Sequence, residues 1–230
     1  FKGTKCILDK IDLVIVRENT EGFYADRNMF SGNGEIEIEE GTGISIRKIT
    51  KQASEKIAKR GFEIAKQMNK NKKINVHAIH KANVLRLTDG IFLKACRKIS
   101  KHYPEIEYHE MLVDAATAHM VRKPEQFDVL ITTNMFGDIL SDLASELSGS
   151  LGLSGSLNVG DTIPMAQAQH GAAIDIMNKG IANPISLIFS VAMLLKWLGK
   201  QKCQMEYIKA NELVFKVIEN ILEENKYLTP

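Results

Sequence analysis

Two aspartates four positions apart give this sequence its clearest chemical signal. Asp138 and Asp142 follow an apolar run at 128–133, and on a helix this spacing places both carboxylates on one face. A divalent cation relieves their mutual repulsion, and Mg²⁺ or Mn²⁺ prefers such oxygen ligands. The alternative is ordinary helix surface, with an N-capping aspartate followed by an exposed one. The spacing alone leaves both interpretations open.

Other reactive side chains lie next to predicted strands. Lys81 follows an apolar run at 74–79, and a lysine at the carboxyl end of a strand in an open α/β sheet points toward the usual ligand crevice. Partial desolvation there would suit it to proton transfer. Asp114 lies at a predicted strand-to-helix junction, Arg17 could clamp a carboxylate through two hydrogen bonds, and Tyr24 could donate a proton. Each residue taken alone is equally compatible with a helix cap or a solvated side chain.

A loop of small residues near the C-terminal third indicates ligand binding of another kind. His170 and Gly171 lie side by side, and glycine permits close backbone approach to a ligand. An acid a few residues further on can accept hydrogen bonds from both hydroxyls of an adenosine ribose. The glycine-rich fingerprints of Rossmann and P-loop nucleotide sites are absent from the sequence, so neither standard site is indicated.

The elements that must position these residues alternate between strand and helix, which is typical of an α/β fold. Leu140, Leu143 and Leu147 should face a core together with Ile139, opposite the two aspartates. A hairpin is expected to carry one apolar face that needs a partner. Strands are predicted at 12–16, 35–39, 44–49, 74–79, 106–112 and 128–133, and helices at 50–70 with Thr50 as N-cap, 89–102, 115–121, from near Asp138 to about 149, 184–199 and 204–224.

Composition and net charge limit the classes of protein to which this chain can belong. The 230 residues are 44% hydrophobic and 25% charged with a net charge of +2, which argues against a strongly basic nucleic-acid binder. Ten Lys and Arg against two Glu between positions 47 and 73 keep polyanion binding as a distant alternative to a helix face balanced by acids elsewhere. Three scattered cysteines fit a reducing compartment, and we expect a cytoplasmic protein with no membrane span and no secretory signal.

In combination, the motifs resemble the isocitrate/isopropylmalate dehydrogenase family, the metal-dependent β-decarboxylating dehydrogenases of 2-hydroxy acids. The matching segments occur in the family's order and extend over nearly the whole chain. Several motifs in register are far more specific than any one of them. The segments are VRENTEG at 16–22 with Tyr24, KAN at 81–83, VDA at 113–115, NMFGDILSD at 134–142, HG at 170–171 and GIANP at 180–184.

The resemblance implies roles around a substrate and a metal. Arg17 would hold a substrate carboxylate, and Tyr24 would protonate the product enolate. Lys81 of a second subunit would assist deprotonation of the substrate hydroxyl, through water. The implied ligands of Mg²⁺ or Mn²⁺ are Asp138 and Asp142, with Asp114 from that second subunit.

The resemblance also implies a nicotinamide cofactor. Asn83 would lie near the nicotinamide, whereas His170, Gly171 and Asn183 would hold the adenine end. Asp175 matches the position that meets the ribose 2′-hydroxyl, where an anion repels a 2′-phosphate and so favours NAD over NADP. The sequence differs from the family pattern at a position that bears on cofactor affinity. Gln167-Ala168 stands where the family usually has Glu-Pro before its His-Gly pair.

The fold implied is an isopropylmalate-dehydrogenase-like mixed sheet with flanking helices. Residues 1–148 would form a smaller α/β domain with a hairpin arm and dimer contacts, and 149–230 the C-terminal part of a larger cofactor domain. The chain begins without Met and the family is usually longer, so the N-terminal segment is expected to be absent.

The implied activity is oxidation and decarboxylation of a 2-hydroxy dicarboxylic acid of the isopropylmalate, isocitrate, malate or tartrate class by a homodimer. Weak or absent turnover is expected of these 230 residues alone. The alternative is a non-catalytic remnant, or a regulatory or binding subunit of such a dehydrogenase.

Overall fold

The computed structural model describes residues 6–8, 11–24, 34–68 and 72–224. The chain divides into two compact units, one of residues 10–144 and one of residues 1–9 with 145–230. The assignment of 1–148 to a smaller domain and of 149–230 to a cofactor domain remains a prediction.

The unit of residues 10–144 is built on a four-stranded, fully parallel sheet in the order β1-β6-β4-β5. An antiparallel hairpin, β2–β3, stands apart from this sheet. The strands are β1 (Val14–Arg17), β2 (Glu35–Glu39), β3 (Thr42–Ser45), β4 (Asn75–His80), β5 (Glu107–Leu112) and β6 (Val129–Thr132), and the helices are α1 (Lys51–Gln67), α2 (Thr88–Ser100), α3 (Val113–Arg122) and α4 (Asn134–Ser148), which continues past residue 144.

The core of this unit lies between the sheet and α1 with α2. Val76, Ala78 and Ile131 are fully buried, as expected for a parallel sheet covered by helices. Phe62 of α1 is also fully buried and belongs to the same cluster. Thr50 accepts a hydrogen bond from the backbone N–H of Ala53 at 3.2 Å, which confirms the predicted N-cap.

The structure confirms the predicted α/β fold and corrects two elements of this unit. Helix α4 begins at Asn134, one turn before the predicted start near Asp138, and the buried Phe136 extends its apolar face into that first turn. Leu140 and Leu147 are buried as predicted, but Ile139 is 54% exposed. Strand β3 ends at Ser45 rather than at position 49, because its partner strand β2 begins at Glu35, which pairs with Ser45.

The unit of residues 1–9 and 145–230 contains a second antiparallel hairpin, β7 (Gly155–Val159) with β8 (Pro164–Ala168), and two helices, α5 (Ile185–Lys202) and α6 (Met205–Glu224). Phe189 and Phe215 stack at 4.3 Å between α5 and α6. No described helix is both long enough and apolar enough to cross a membrane.

Strand β7 lies in the Gly/Ser-rich stretch 148–160, for which no strand was predicted. The polar composition of this stretch gives no sign of a strand, because its stabilising hydrogen-bond partners are serines of α5. The backbone N–H of Ser156 donates to Ser190 Oγ at 2.9 Å, and that of Gln169 donates to Ser186 Oγ at 3.1 Å. Both α5 serines are fully buried, so they attach the hairpin to the helix.

Acidic side chains balance much of the basic block at 47–73. Three of the pairs are short-range contacts on α1 and three join the block to acids elsewhere in the chain, which supports the interpretation of a helix face balanced by acids over that of a polyanion site. The pairs are Lys51–Glu55, Lys59–Glu63, Arg60–Glu63, Lys66–Glu105, Lys72–Asp128 and Lys73–Glu107.

Candidate active site

Four of the predicted motifs meet at one edge of the parallel sheet. Arg17 ends β1, Asn134 follows β6, Lys81 follows β4, and Asp114 lies in the first turn of the helix after β5. The strand order β1-β6-β4-β5 places them in this sequence along the carboxyl edge. In open α/β sheets this is the edge where ligands bind.

Asn134 fixes the orientation of Arg17. Its Oδ1 accepts hydrogen bonds from Nε and Nη2 of Arg17 at 2.9 and 2.7 Å. The Asn134 side chain donates in turn to the backbone carbonyl of Glu21 at 2.9 Å, and the residue is only 2% exposed. No role was predicted for Asn134, although its position as a polar residue directly after a buried strand was an available signal.

Asp138 contacts both the predicted substrate-binding residue Arg17 and the predicted proton donor Tyr24. Arg17 Nη1 forms an ion pair with its Oδ1, and the Tyr24 hydroxyl donates to its Oδ2 at 3.0 Å. The Asp138 side chain is 47% exposed, and Asp142 is exposed one turn further along the same face of α4. Because α4 begins at Asn134, Asp138 is not an N-cap, and the capping alternative is wrong.

Gly137 makes room for this arrangement. A Cβ atom at this position would lie 2.6 Å from Cγ of Arg17 and closer still to Thr132 Oγ1. Any larger residue would push the arginine away from its place beside Asp138. The sequence analysis did not single out this glycine, although a glycine inside a helix pattern often marks a close approach.

Two buried carboxylates hold the loop that carries Tyr24. Glu18 accepts from the backbone N–H groups of Thr20 and Glu21 at 2.8 and 3.0 Å. Glu21 accepts from the backbone N–H and the hydroxyl of Thr50 at 2.7 and 2.6 Å. Glu21 therefore ties the loop to the N-terminus of α1, where the helix dipole favours an anion.

Lys81 and Asp114 form a second group at the same edge. Lys81 Nζ lies 2.7 Å from Asp114 Oδ1, and this hydrogen bond holds the pKa of the Asp114 carboxyl below its usual value. The Asp114 side chain is 64% exposed. Asn83 is exposed in the turn after Lys81. Both Lys81 and Asp114 were assigned by resemblance to a second subunit's site.

One copy of the chain does not assemble the predicted three-aspartate site. Within 6–8, 11–24, 34–68 and 72–224, no three His, Cys, Asp or Glu side chains come together in a way that could hold a metal ion. Asp138 and Asp142 share α4, whereas Asp114 lies on α3 beside Lys81. The contribution of Asp114 from a second subunit stays a prediction.

The predicted adenine-end residues all lie in the other unit, around the connection from β8 to α5. His170, Gly171 and Asp175 are exposed, and Nδ1 of His170 lies 2.9 Å from the Gly171 carbonyl. Asn183 Oδ1 accepts from the backbone N–H of Ile185 at the start of α5 at 3.0 Å. Their role in cofactor binding stays a prediction.

Comparison with known proteins gives consistent matches. The family model described as isocitrate/isopropylmalate dehydrogenase matches residues 2–229. The chain is 42% identical over 98% of its length to 3-isopropylmalate dehydrogenase of Archaeoglobus fulgidus, and 40% identical over 99% of its length to isocitrate dehydrogenase (NAD) catalytic subunit 5, mitochondrial, of Arabidopsis thaliana. It spans 64% and 56% of those two proteins.

A solved structure shows the same fold. The crystal structure of isocitrate dehydrogenase from Methylococcus capsulatus matches all of this chain with a TM-score of 0.88 at 39% identity. The match covers 64% of that protein. The parallel sheet flanked by helices is thus shared with an enzyme structure that extends beyond this chain.

Proposed function

Since the chain belongs to the isocitrate/isopropylmalate dehydrogenase family, we propose that it serves the NAD- and Mg²⁺- or Mn²⁺-dependent oxidation and decarboxylation of a 2-hydroxy dicarboxylic acid. The class includes isopropylmalate, isocitrate, malate and tartrate. The observation that carries the proposal is the contact of Arg17 and Tyr24 with the same carboxylate, Asp138.

The carboxylates of α4 fit a hard divalent cation. Asp138 and Asp142 present oxygen ligands on one face of the helix, and neither is buried. Two carboxylates from one chain leave room for a third from a second copy, and Asp114 is exposed enough to serve. When bound, the metal would polarise the acid's hydroxyl and stabilise negative charge that develops on its oxygen.

Arg17 provides the carboxylate clamp. Asn134 holds two of its nitrogens, so Nη1 is the one that faces the proposed metal ligand and an incoming acid. Arginine is suited to this task because its charge is permanent and it has enough N–H donors to bind Asn134 and an acid at the same time.

Tyr24 and Lys81 would carry the two proton transfers. The Tyr24 hydroxyl is aimed at Asp138, where it can reach an acid bound there and protonate the carbon that loses CO₂. Lys81 of a second copy would, as its neutral amine, take the proton of the hydroxyl group through a water molecule and so become an ammonium. Its ammonium is held by Asp114, so one copy would deliver both groups to its partner's site.

The cofactor assignment concerns the unit of residues 1–9 and 145–230. When bound, NAD⁺ would accept the hydride. Asp175 would accept hydrogen bonds from the ribose hydroxyls and repel a 2′-phosphate. The similarity to an isocitrate dehydrogenase (NAD) subunit of Arabidopsis thaliana supports this choice.

The direct test is an assay of the purified protein with Mn²⁺, either NAD⁺ or NADP⁺, and each of the four acids. NADH formation with CO₂ release, lost in Tyr24→Phe and in Asp138→Asn, supports the proposal. Binding of Mn²⁺ and acid without turnover supports instead a binding or regulatory subunit. If the protein binds neither Mn²⁺ nor any of the acids, both the proposed activity and the role of a binding or regulatory subunit are wrong.

A further inference from the structure

An ion pair in the interior of the unit of residues 10–144 lies directly beneath the Lys81 loop. Arg47 Nη1 is 2.6 Å from Asp89 Oδ1, and their side chains are 7% and 0% exposed. Burying two charges is costly, and such a pair is seldom retained for stability alone. What the pair touches therefore indicates what it does.

Asp89 holds the backbone of Lys81. Its second oxygen, Oδ2, accepts a hydrogen bond from the Lys81 N–H at 2.5 Å. The turn that follows is closed on Lys81 as well, because Val84 N and Leu85 N both donate to its carbonyl. Asp89 thus fixes the position from which the Lys81 side chain departs toward Asp114.

Arg47 connects this carboxylate to the other end of the site. Its guanidinium donates to Thr88 Oγ1 at 2.6 Å and to Thr133 Oγ1 at 3.2 Å, and it lies 5.7 Å from the ring of Phe136. Thr133 directly precedes Asn134, the residue that orients Arg17, and Phe136 lies two residues after it. A single buried cation therefore spans the Lys81 loop and the β6–α4 junction.

We propose that Asp89 of this buried pair is a positioning residue, which places Lys81 for proton transfer by accepting a hydrogen bond from the Lys81 backbone N–H. The inference rests on the proposed function for the role of Lys81. The placement itself can be tested without turnover.

Two double variants separate placement from stability. Arg47→Met with Asp89→Leu removes both charges and the acceptor, whereas Arg47→Met with Asp89→Asn removes both charges but keeps an amide oxygen that Lys81 N–H can reach. Apolar replacement of a whole buried pair is often neutral for folding, so both variants should fold.

Three readouts report on Lys81. Hydrogen exchange of its backbone amide should quicken about tenfold or more in the Leu variant and stay near wild type in the Asn variant. Acylation of its side chain should rise severalfold in the Leu variant alone, with Lys98, bonded to Glu55 at 2.9 Å, as the internal reference. Turnover should fall about tenfold or more in kcat, with a smaller change in KM, in the Leu variant alone.

Each outcome has a defined meaning. Unchanged exchange and acylation at Lys81 in the Leu variant would overturn the inference, as would altered placement with unchanged kcat. If the wild-type protein shows no turnover, the proposed function fails on its own. Hydrogen exchange and acylation of Lys81 then still test whether Asp89 positions this lysine. If neither variant folds, hydrogen exchange of the wild-type protein provides the test. A Lys81 amide that exchanges as fast as that of an unstructured peptide would overturn the inference.

Discussion

Arg17 and Asn134 are 117 positions apart in the chain, yet the Asn134 oxygen accepts two hydrogen bonds from the arginine, at 2.9 and 2.7 Å. Because Asn134 is almost fully buried and bonded to the Glu21 carbonyl, it acts as a rigid anchor. The direction of the Arg17 charge is therefore set by the β6–α4 junction rather than by its own strand.

Asn134→Ala should release the guanidinium and weaken binding of a dicarboxylic acid roughly tenfold, because hydrogen bonds to a charged group contribute most when they preorganise it. Calorimetric titration with tartrate or isopropylmalate in the presence of Mn²⁺ measures the loss. Ile139→Ala, at an exposed position of the same helix, is the matched control. Unchanged acid affinity in Asn134→Ala, with a clear loss in Arg17→Ala, would show that the anchor is not needed.

Asp138→Asn and Asp142→Asn should each weaken Mn²⁺ binding about tenfold or more, because an amide oxygen is a poorer ligand for a hard cation than a carboxylate. The electron paramagnetic resonance signal of free Mn²⁺ gives the dissociation constants. Glu146→Gln removes the same charge one turn further along α4 and should leave affinity nearly unchanged. If Asp138→Asn and Asp142→Asn bind Mn²⁺ as tightly as Glu146→Gln and the wild type do, the metal binds elsewhere.

Two glycines in helices should respond oppositely to alanine. A Cβ at Gly61 would lie 2.5 Å from two atoms of the buried Ile131 side chain, so Gly61→Ala should destabilise the fold by roughly 1–3 kcal/mol. Nothing lies within 4 Å of a Cβ at Gly90, so Gly90→Ala should stabilise by up to about 1 kcal/mol. Urea unfolding measures both. A neutral Gly61→Ala would mean that α1 can move away from the sheet at little cost.

The sequence could predict which motifs lie at the sheet edge, because that prediction needs only local patterns and one general rule. Apolar runs mark the strands, and parallel strands end at the same edge, so Arg17, Lys81 and Asp114 were correctly expected at strand ends. The N-cap Thr50 is likewise a local signal.

The sequence could not reveal the supports beneath those residues, because they depend on contacts between distant segments. Arg47 and Asp89 are paired across 42 positions, and nothing in the surrounding pattern distinguishes them from surface charges. Strand β7 was missed for a related reason: its polar composition resembles a linker until buried serines of α5 supply partners. Tertiary hydrogen bonds override local propensity in both cases.

The interior histidine of β4 should make stability fall at mildly acidic pH. His77 is 4% exposed, stacks on His109 and meets Phe127 edge-to-face, and burial, aided by the neighbouring His109, lowers its pKa from 6.5 to about 4. An unfolded chain protonates this histidine as pH falls below about 6.5, whereas the folded protein keeps it neutral until about pH 4. Acidification therefore favours unfolding throughout that interval, in spite of the opposing effect of Asp128.

The expected loss from His77 is roughly 3 kcal/mol between neutral pH and about pH 4, at 1.36 kcal/mol for each pKa unit. His77→Phe should retain the aromatic stacking and flatten the pH dependence by that amount. Nδ1 of His77 is buried without a hydrogen-bond partner in the described part of the chain, so the substitution costs no bond at that atom. Urea unfolding across this pH range, with exposed His102→Gln as the control, measures the difference between variants, which removes the contribution of carboxylates common to all. Parallel pH profiles for wild type and His77→Phe would show that His77 becomes protonated within the folded protein as readily as in the unfolded chain.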